Sequence, residues 1–314
     1  MEIPLFVSRF PVMEHPQKND IIADIKQFFT TTAFDILNEN TRQYGDYMAA
    51  GALYCIYIYP LGDTEKLKAV ARYFAYWALV DDLYFDNSTD LDDIRRMMEQ
   101  FIAATEGTSG DSRFAPVAAF CSRTDWNEGT LDLFRSEIIK YLEGMMQLRI
   151  AEVQEQRLTV EEYLRCRHYN IAMWVIFSLL YDTQDDLELS TFRHPGFADI
   201  FDCSSKCIAV LLDLYNLKAK KEEKSEYTNL VRVMQRAEGL DEDAAIRKCI
   251  QLFYDYELEM EEACDRLAAD YPREVLYFKY VESGSVRYCT ESRKMRYQQV
   301  SDTDESLVNG RTVL

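Results

Sequence analysis

Breaks in regular structure are few in this chain: its 314 residues include only 11 glycines and 7 prolines. A polypeptide that turns so seldom must run far between turns, and long runs with apolar residues every three to four positions are helices. Such runs recur over about 20–33, 46–58, 64–86, 91–105, 127–155, 159–181, 197–222, 226–237, 241–268 and 272–297, and no alternating strand pattern interrupts them. Helix starts are marked chemically. Asp63 precedes one run, Thr159 and Glu162 have the spacing of a capping box, and Pro195 and Pro272 stand where a missing N–H costs nothing. There is no internal repeat, low-complexity tract or Gly/Ser linker. The expectation is an all-α, single-domain helical bundle over 1–314, with 106–113 a loop and 298–314 a polar, loose tail.

Charge narrows the partners. The net charge is −19 and the pI about 4.6, so the chain repels nucleic acid and anionic membrane surfaces. An acidic protein that takes an anionic substrate needs local cations, and divalent ions held by carboxylates supply them. The longest apolar run, Tyr47 to Leu61, contains four tyrosines and is too short to span a bilayer, so it reads as a buried helix. The eight cysteines form no C-x-x-C pair and no zinc spacing. They read as free thiols in a reducing compartment. The N-terminus has no apolar secretory core, and a cytoplasmic location is expected.

The segment Phe74–Asp90 (FAYWALVDDLYFDNSTD) joins an aromatic helix to a burst of carboxylates. Asp82 and Asp86, four apart, share a helix face, and Asp81 continues the stripe of Phe74 and Trp77. A carboxylate at the rim of an aromatic pocket is costly without a cation or water to meet it. Bridging Mg²⁺ suits this, since it takes one or two carboxylates and completes its shell with phosphate oxygens. The bland reading is a solvated acidic helix end.

This segment resembles the aspartate-rich motif of class I terpene cyclases, with the spacing D-D-x-x-x-D. Either Asp81 or Asp82 is the principal metal ligand on that resemblance, with Asp86 a third. The family's second metal motif, N-D-x-x-S-x-x-x-E, is similar to Ala209–Glu223 (AVLLDLYNLKAKKEE). Leu212 falls at its Asn, Asp213 at its Asp, Asn216 at its Ser and Lys220 at its Glu. The resemblance makes Asp213 and Asn216 metal ligands and Lys220 a diphosphate contact. It implies up to three Mg²⁺ ions, one at a weakened site. The family also places an arginine that senses diphosphate about 46 residues earlier. Arg167 matches that position, with Arg165 as a fallback and with Asn170 and Ala172 where the family often has Thr and Gly. Arginine suits the role because its planar fork pairs with phosphate oxygens and keeps its charge. Near the C-terminus, Arg296–Tyr297 resembles the family's closing Arg-Tyr pair, and Arg287–Tyr288 is a second candidate.

The resemblance covers almost the whole chain and implies a class I terpenoid synthase fold with its active-site cavity in the bundle centre. The implied activity is Mg²⁺-dependent ionisation and cyclisation of an isoprenoid diphosphate. The expected case is a microbial, fungal-type sesquiterpene cyclase acting on farnesyl diphosphate and releasing diphosphate, as a monomer or homodimer. Phe74, Trp77 and Trp174 would offer ring faces to the cation, and Asn170 would line the substrate site. Two rivals remain. A chain-elongating trans-prenyltransferase would need a second D-D-x-x-D where this chain has Leu212–Asp213–Leu214. A helical interaction protein would explain the composition but not the ordered set of motifs.

Overall fold

A computed structural model describes residues 3–33, 41–85, 88–217 and 225–292, without the side chains of 33, 41–44, 46, 82, 225, 226 and 292. Every regular element among the described residues is helical. The α-helices are α1 (Lys18–Phe28), α2 (Thr41–Ile58), α3 (Thr64–Val80), α4 (Leu91–Thr105), α5 (Ala115–Cys121), α6 (Thr130–Val153), α7 (Val160–Asn170), α8 (Met173–Thr183), α9 (Pro195–Asn216), α10 (Ser225–Thr228), α11 (Leu230–Glu238), α12 (Glu242–Leu267) and α13 (Pro272–Ser292). None is long and apolar enough to cross a membrane.

The start signals act as expected. The Asp63 carboxylate accepts from the N–H groups of Glu65 and Lys66, both at 2.9 Å, and caps α3. Thr159 and Glu162 form a reciprocal capping box on α7, and Pro195 and Pro272 open α9 and α13. The periodicity errs where local geometry departs from a straight α-helix. The run 64–86 is α-helical only to Val80 and then widens into a π-turn over Asp81–Phe85. The run 159–181 is two helices, because Ala172 takes a left-handed φ of 61°. Short α5 is too brief for a periodic signal, and the run 226–237 is divided by Asn229, whose side chain caps α11 at the N–H of Val231.

Packing places the cavity. α3 lies along α2, α13 covers the other side of α2, and α1 leans on both α2 and α3. α6 packs against α7 and α8, while α9 packs against α12, α7 and α13. Glycines set several of these approaches. A Cβ on Gly284 of α13 would overlap the Tyr57 backbone of α2. One on Gly144 of α6 would stand 2.8 Å from the Tyr169 Cβ of α7 and 3.1 Å from the Asn170 nitrogen. The space between α2, α3, α6, α7, α8, α9 and α13 is a central cavity of about 450 Å³. The apolar run from Tyr47 falls largely in the buried α2, as expected. All eight cysteines are free thiols, seven of them buried and Cys166 half-buried.

Candidate active site

Much of the cavity wall is apolar and aromatic. Tyr54 from α2, Tyr73, Phe74 and Trp77 from α3, Tyr141 from α6 and Tyr288 from α13 contribute rings. These rings lock one another. Trp77 meets Tyr141 edge-on at 4.8 Å between centroids, and Tyr54 leans on Tyr288 at 4.8 Å and on Phe74 at 5.6 Å. Burial holds the Tyr54 hydroxyl in its neutral form, well above the ordinary phenol range, and Ser285 Oγ lies 3.2 Å from it. Aromatic ring faces stabilise a cation without forming a bond to it, at about 0.5–2 kcal/mol per contact.

Polar side chains line the rest. The stripe Phe74, Trp77, Ala78 and Asp81 faces the cavity as the sequence implied, so the π-turn after Val80 begins with Asp81 on the cavity wall. The Tyr141 hydroxyl donates to Asp81 Oδ1 at 3.4 Å. The side chain of Asp82, and all of Asp86, lie outside the described residues, as do Lys220, Arg296 and Tyr297.

Across the cavity, Arg167 of α7 and Asp213 of α9 meet at 3.0 Å, the two positions 46 residues apart in the chain. Arg167 Nη1 also donates to Asn170 Oδ1 at 2.5 Å. Arg165 is exposed and does not reach the cavity. Arg287 of the second C-terminal candidate pairs with Glu14 and Glu291 and caps the Tyr57 ring, whereas Tyr288 lines the cavity. Trp174 is not on the cavity wall. The turn at Ala172 resets the helix phase, so that Val175 and Ile176 face inward and Trp174 packs against His168, Phe192 and Phe201.

Donor chemistry differs between the two ends of the polar rim. Among the described residues no three carboxylate, histidine or cysteine groups converge on one point. Asp81 nonetheless fits a hard divalent cation, which needs only one or two carboxylates when water and phosphate oxygens complete its shell. The α9 end fits less well. Leu212 offers no donor, and Asn216 offers a neutral amide. Asp213 is 3% exposed, and both of its oxygens are engaged. Oδ1 accepts from Arg167 at 3.0 Å, and Oδ2 accepts from the Tyr163 hydroxyl at 2.6 Å and the Leu230 N–H at 3.0 Å. The Asp213 carbonyl accepts from Asn229 Nδ2 at 2.7 Å. This carboxylate therefore joins α7, α9 and α11 and holds the arginine fork in place.

Two rim residues were missed in the sequence. Arg149 and Glu152 of α6 line the cavity and form an ion pair with side chains 8% and 10% exposed. A signal existed, because a charged pair three apart interrupts the stripe Ile138, Tyr141, Met145 and Leu148.

The profile described as terpene synthase family 2, C-terminal metal binding, matches residues 72–259. No curated protein matches the chain by sequence. Among solved structures, the chain is similar to the SVS_A2 protein from ancestral sequence reconstruction, with a TM-score of 0.82 and 14% identity over 96% of this chain and 93% of that one. Hedycaryol synthase in complex with nerolidol aligns with a TM-score of 0.75 and 15% identity, covering 94% and 99% of the two chains. A variant of cucumene synthase aligns at 0.77 and 16%, covering 94% and 100%. At these identities the structural likeness establishes the all-helical fold.

Proposed function

The chain belongs to terpene synthase family 2, and from that premise we propose that it ionises farnesyl diphosphate and cyclises the resulting cation to a sesquiterpene. The observation that carries the reading is the mixed lining of one cavity of about 450 Å³, where the rings of Tyr54, Phe74, Trp77 and Tyr288 occur together with Asp81 and Arg167. Such a lining accepts a molecule that is apolar along its length and anionic at its head. Residues 1–314 act as one catalytic domain on this reading.

The protein groups divide the work. Arg167 directs its fork to phosphate oxygens, and Asp213 with Asn170 fixes the fork's plane in advance. Asp81 marks the wall where Mg²⁺ would be held, and a bound cation there would offset charge building on the departing diphosphate. Phe74, Trp77, Tyr54 and Tyr288 then enclose the allylic cation and exclude water. Lys220, Arg296 and Tyr297 complete the head-group contacts in this proposal, as the family resemblance implies.

The test is incubation of the purified protein with ten-, fifteen- and twenty-carbon diphosphates and Mg²⁺, with and without isopentenyl diphosphate, followed by gas chromatography. Cyclic fifteen-carbon hydrocarbons or alcohols without isopentenyl diphosphate are expected. Longer diphosphates formed only with isopentenyl diphosphate would establish the elongating rival. Inertness toward all three substrates would remove the proposal.

A further inference from the structure

Resting on the reading above, we propose that Arg149 is a positioning residue for the acidic segment, and that α6 clamps this segment at both ends. The lower tie is the Tyr141 hydroxyl on Asp81. The upper tie is Arg149, whose guanidinium donates to the carbonyl of Ser88, the first described residue after Asp86. Tyr141 and Arg149 are eight residues apart, about 12 Å along an α-helix at 1.5 Å per residue. Their partners Asp81 and Ser88 are seven positions apart in the chain and follow in the same order as Tyr141 and Arg149.

An i,i+3 ion pair on a helix surface contributes little. Arg149 is different because it is 7% exposed and lines the cavity. A buried guanidinium is tolerated when its N–H groups are met. Glu152 meets one edge and the Ser88 carbonyl the other, while Nε is buried without a partner among the described residues. The geometry thus spends a buried charge on holding a loop. That loop continues from a segment bearing Asp81, Asp82 and Asp86, whose like charges repel one another until a cation arrives. A tie at each end keeps the segment close to its cation-binding shape beforehand, which lowers the ordering cost of binding.

The experiment uses the full chain and three variants, Arg149→Gln, Arg149→Lys and Tyr141→Phe. Binding of inorganic diphosphate in excess Mg²⁺ is measured by titration calorimetry, beside the melting temperature and the Mg²⁺ concentration that half-activates turnover. Both Arg149 variants should bind Mg²⁺-diphosphate at least tenfold more weakly and need correspondingly more Mg²⁺. Lysine keeps the charge but cannot span a carboxylate and a carbonyl with one planar fork. Tyr141→Phe, which loses a hydroxyl and no packing, should weaken binding about threefold at an unchanged melting temperature. Wild-type binding by Arg149→Lys would overturn the clamp in favour of a simple point charge. So would wild-type binding by Tyr141→Phe, which keeps the proposal open to refutation even if the Arg149 variants do not fold. A wild-type protein that neither binds Mg²⁺-diphosphate nor consumes an isoprenoid diphosphate would instead sink the functional reading itself.

Discussion

Replacing Glu282 by glutamine should make the protein progressively more stable, relative to the wild type, as pH rises from 5 to 8. Glu282 lies on α13 against α9 and is fully buried. Its Oε2 accepts from Ser204 Oγ, and this hydroxyl and the neighbouring Cys207 thiol both oppose the effect of burial. Burial pushes its carboxyl up from 4.5 to about 8, with the negative charge of Glu257 acting in the same direction. The sign follows from linkage. Below pH 4.5 the carboxyl is neutral in both states and costs nothing. Between 4.5 and about 8 the unfolded chain gives up a proton that the folded chain keeps, so rising pH favours unfolding. At about 1.4 kcal/mol per pH unit, the group should remove ~3–4 kcal/mol of stability between pH 5 and pH 8. Glutamine cannot ionise and loses none of it. Its amide has its own packing cost, but that offset does not vary with pH. Urea unfolding of both proteins at half-unit pH steps gives the difference directly. A difference that stays flat within about 1 kcal/mol across this range would refute the reasoning and show that water or relaxation solvates the carboxylate.

Other perturbations probe single features. Asp81→Asn should cut turnover by at least a hundredfold with little change in melting temperature, and a variant as active as the wild type would remove Asp81 from the head-group site. Trp77→Leu should alter the ratio of products seen by gas chromatography, whereas Trp174→Phe should leave it unchanged, because only Trp77 lines the cavity. Ala172→Val should cost about 1–3 kcal/mol in chemical unfolding, since a β-branched residue resists the left-handed backbone, while Ala172→Gly should be neutral or mildly stabilising. Asp182→Ala should cost about 3–5 kcal/mol in the same assay, because it removes the fully buried acceptor of Arg123, at 2.6 Å, and of the Asn127 N–H, at 3.1 Å.

How far the sequence could be read depended on whether a residue acts through spacing or through shape. Asp63, Thr159 and Glu162 announce helix starts by chemistry confined to three or four positions, so they were legible. Phe74, Trp77 and Asp81 were legible because a straight helix carries their common face forward. Arg167 and Asp213 were found at a family-like interval, and they do meet. The meaning of Asp213 was not visible, since its partners Tyr163 and Leu230 are brought in by α7 and α11, which no local pattern relates to α9. Trp174 was misplaced for a similar reason. Ala172 carries no turn signal of the kind glycine or proline gives, and one left-handed residue rotates everything after it. Arg149 was missed because only the fold brings the Ser88 carbonyl against it.

Gly144 has a consequence for redesigning this protein. Because α6 meets α7 with only hydrogen between Gly144 and Tyr169, the spacing of those two helices is set by backbone rather than by exchangeable side chains. Tyr141 and Arg149 on one helix, and Arg167 and Asn170 on the other, are therefore carried as one rigid part. The walls from α2, α3 and α13 have close backbone approaches of their own at Gly51 and Gly284, but the rings they carry are side chains that can be swapped one at a time. A library that varies Tyr54, Phe74 and Tyr288 can thus explore new chamber shapes while Arg149, Arg167 and Asn170 stay in register. The same number of substitutions spread over α6 and α7 would more often destroy turnover than redirect it.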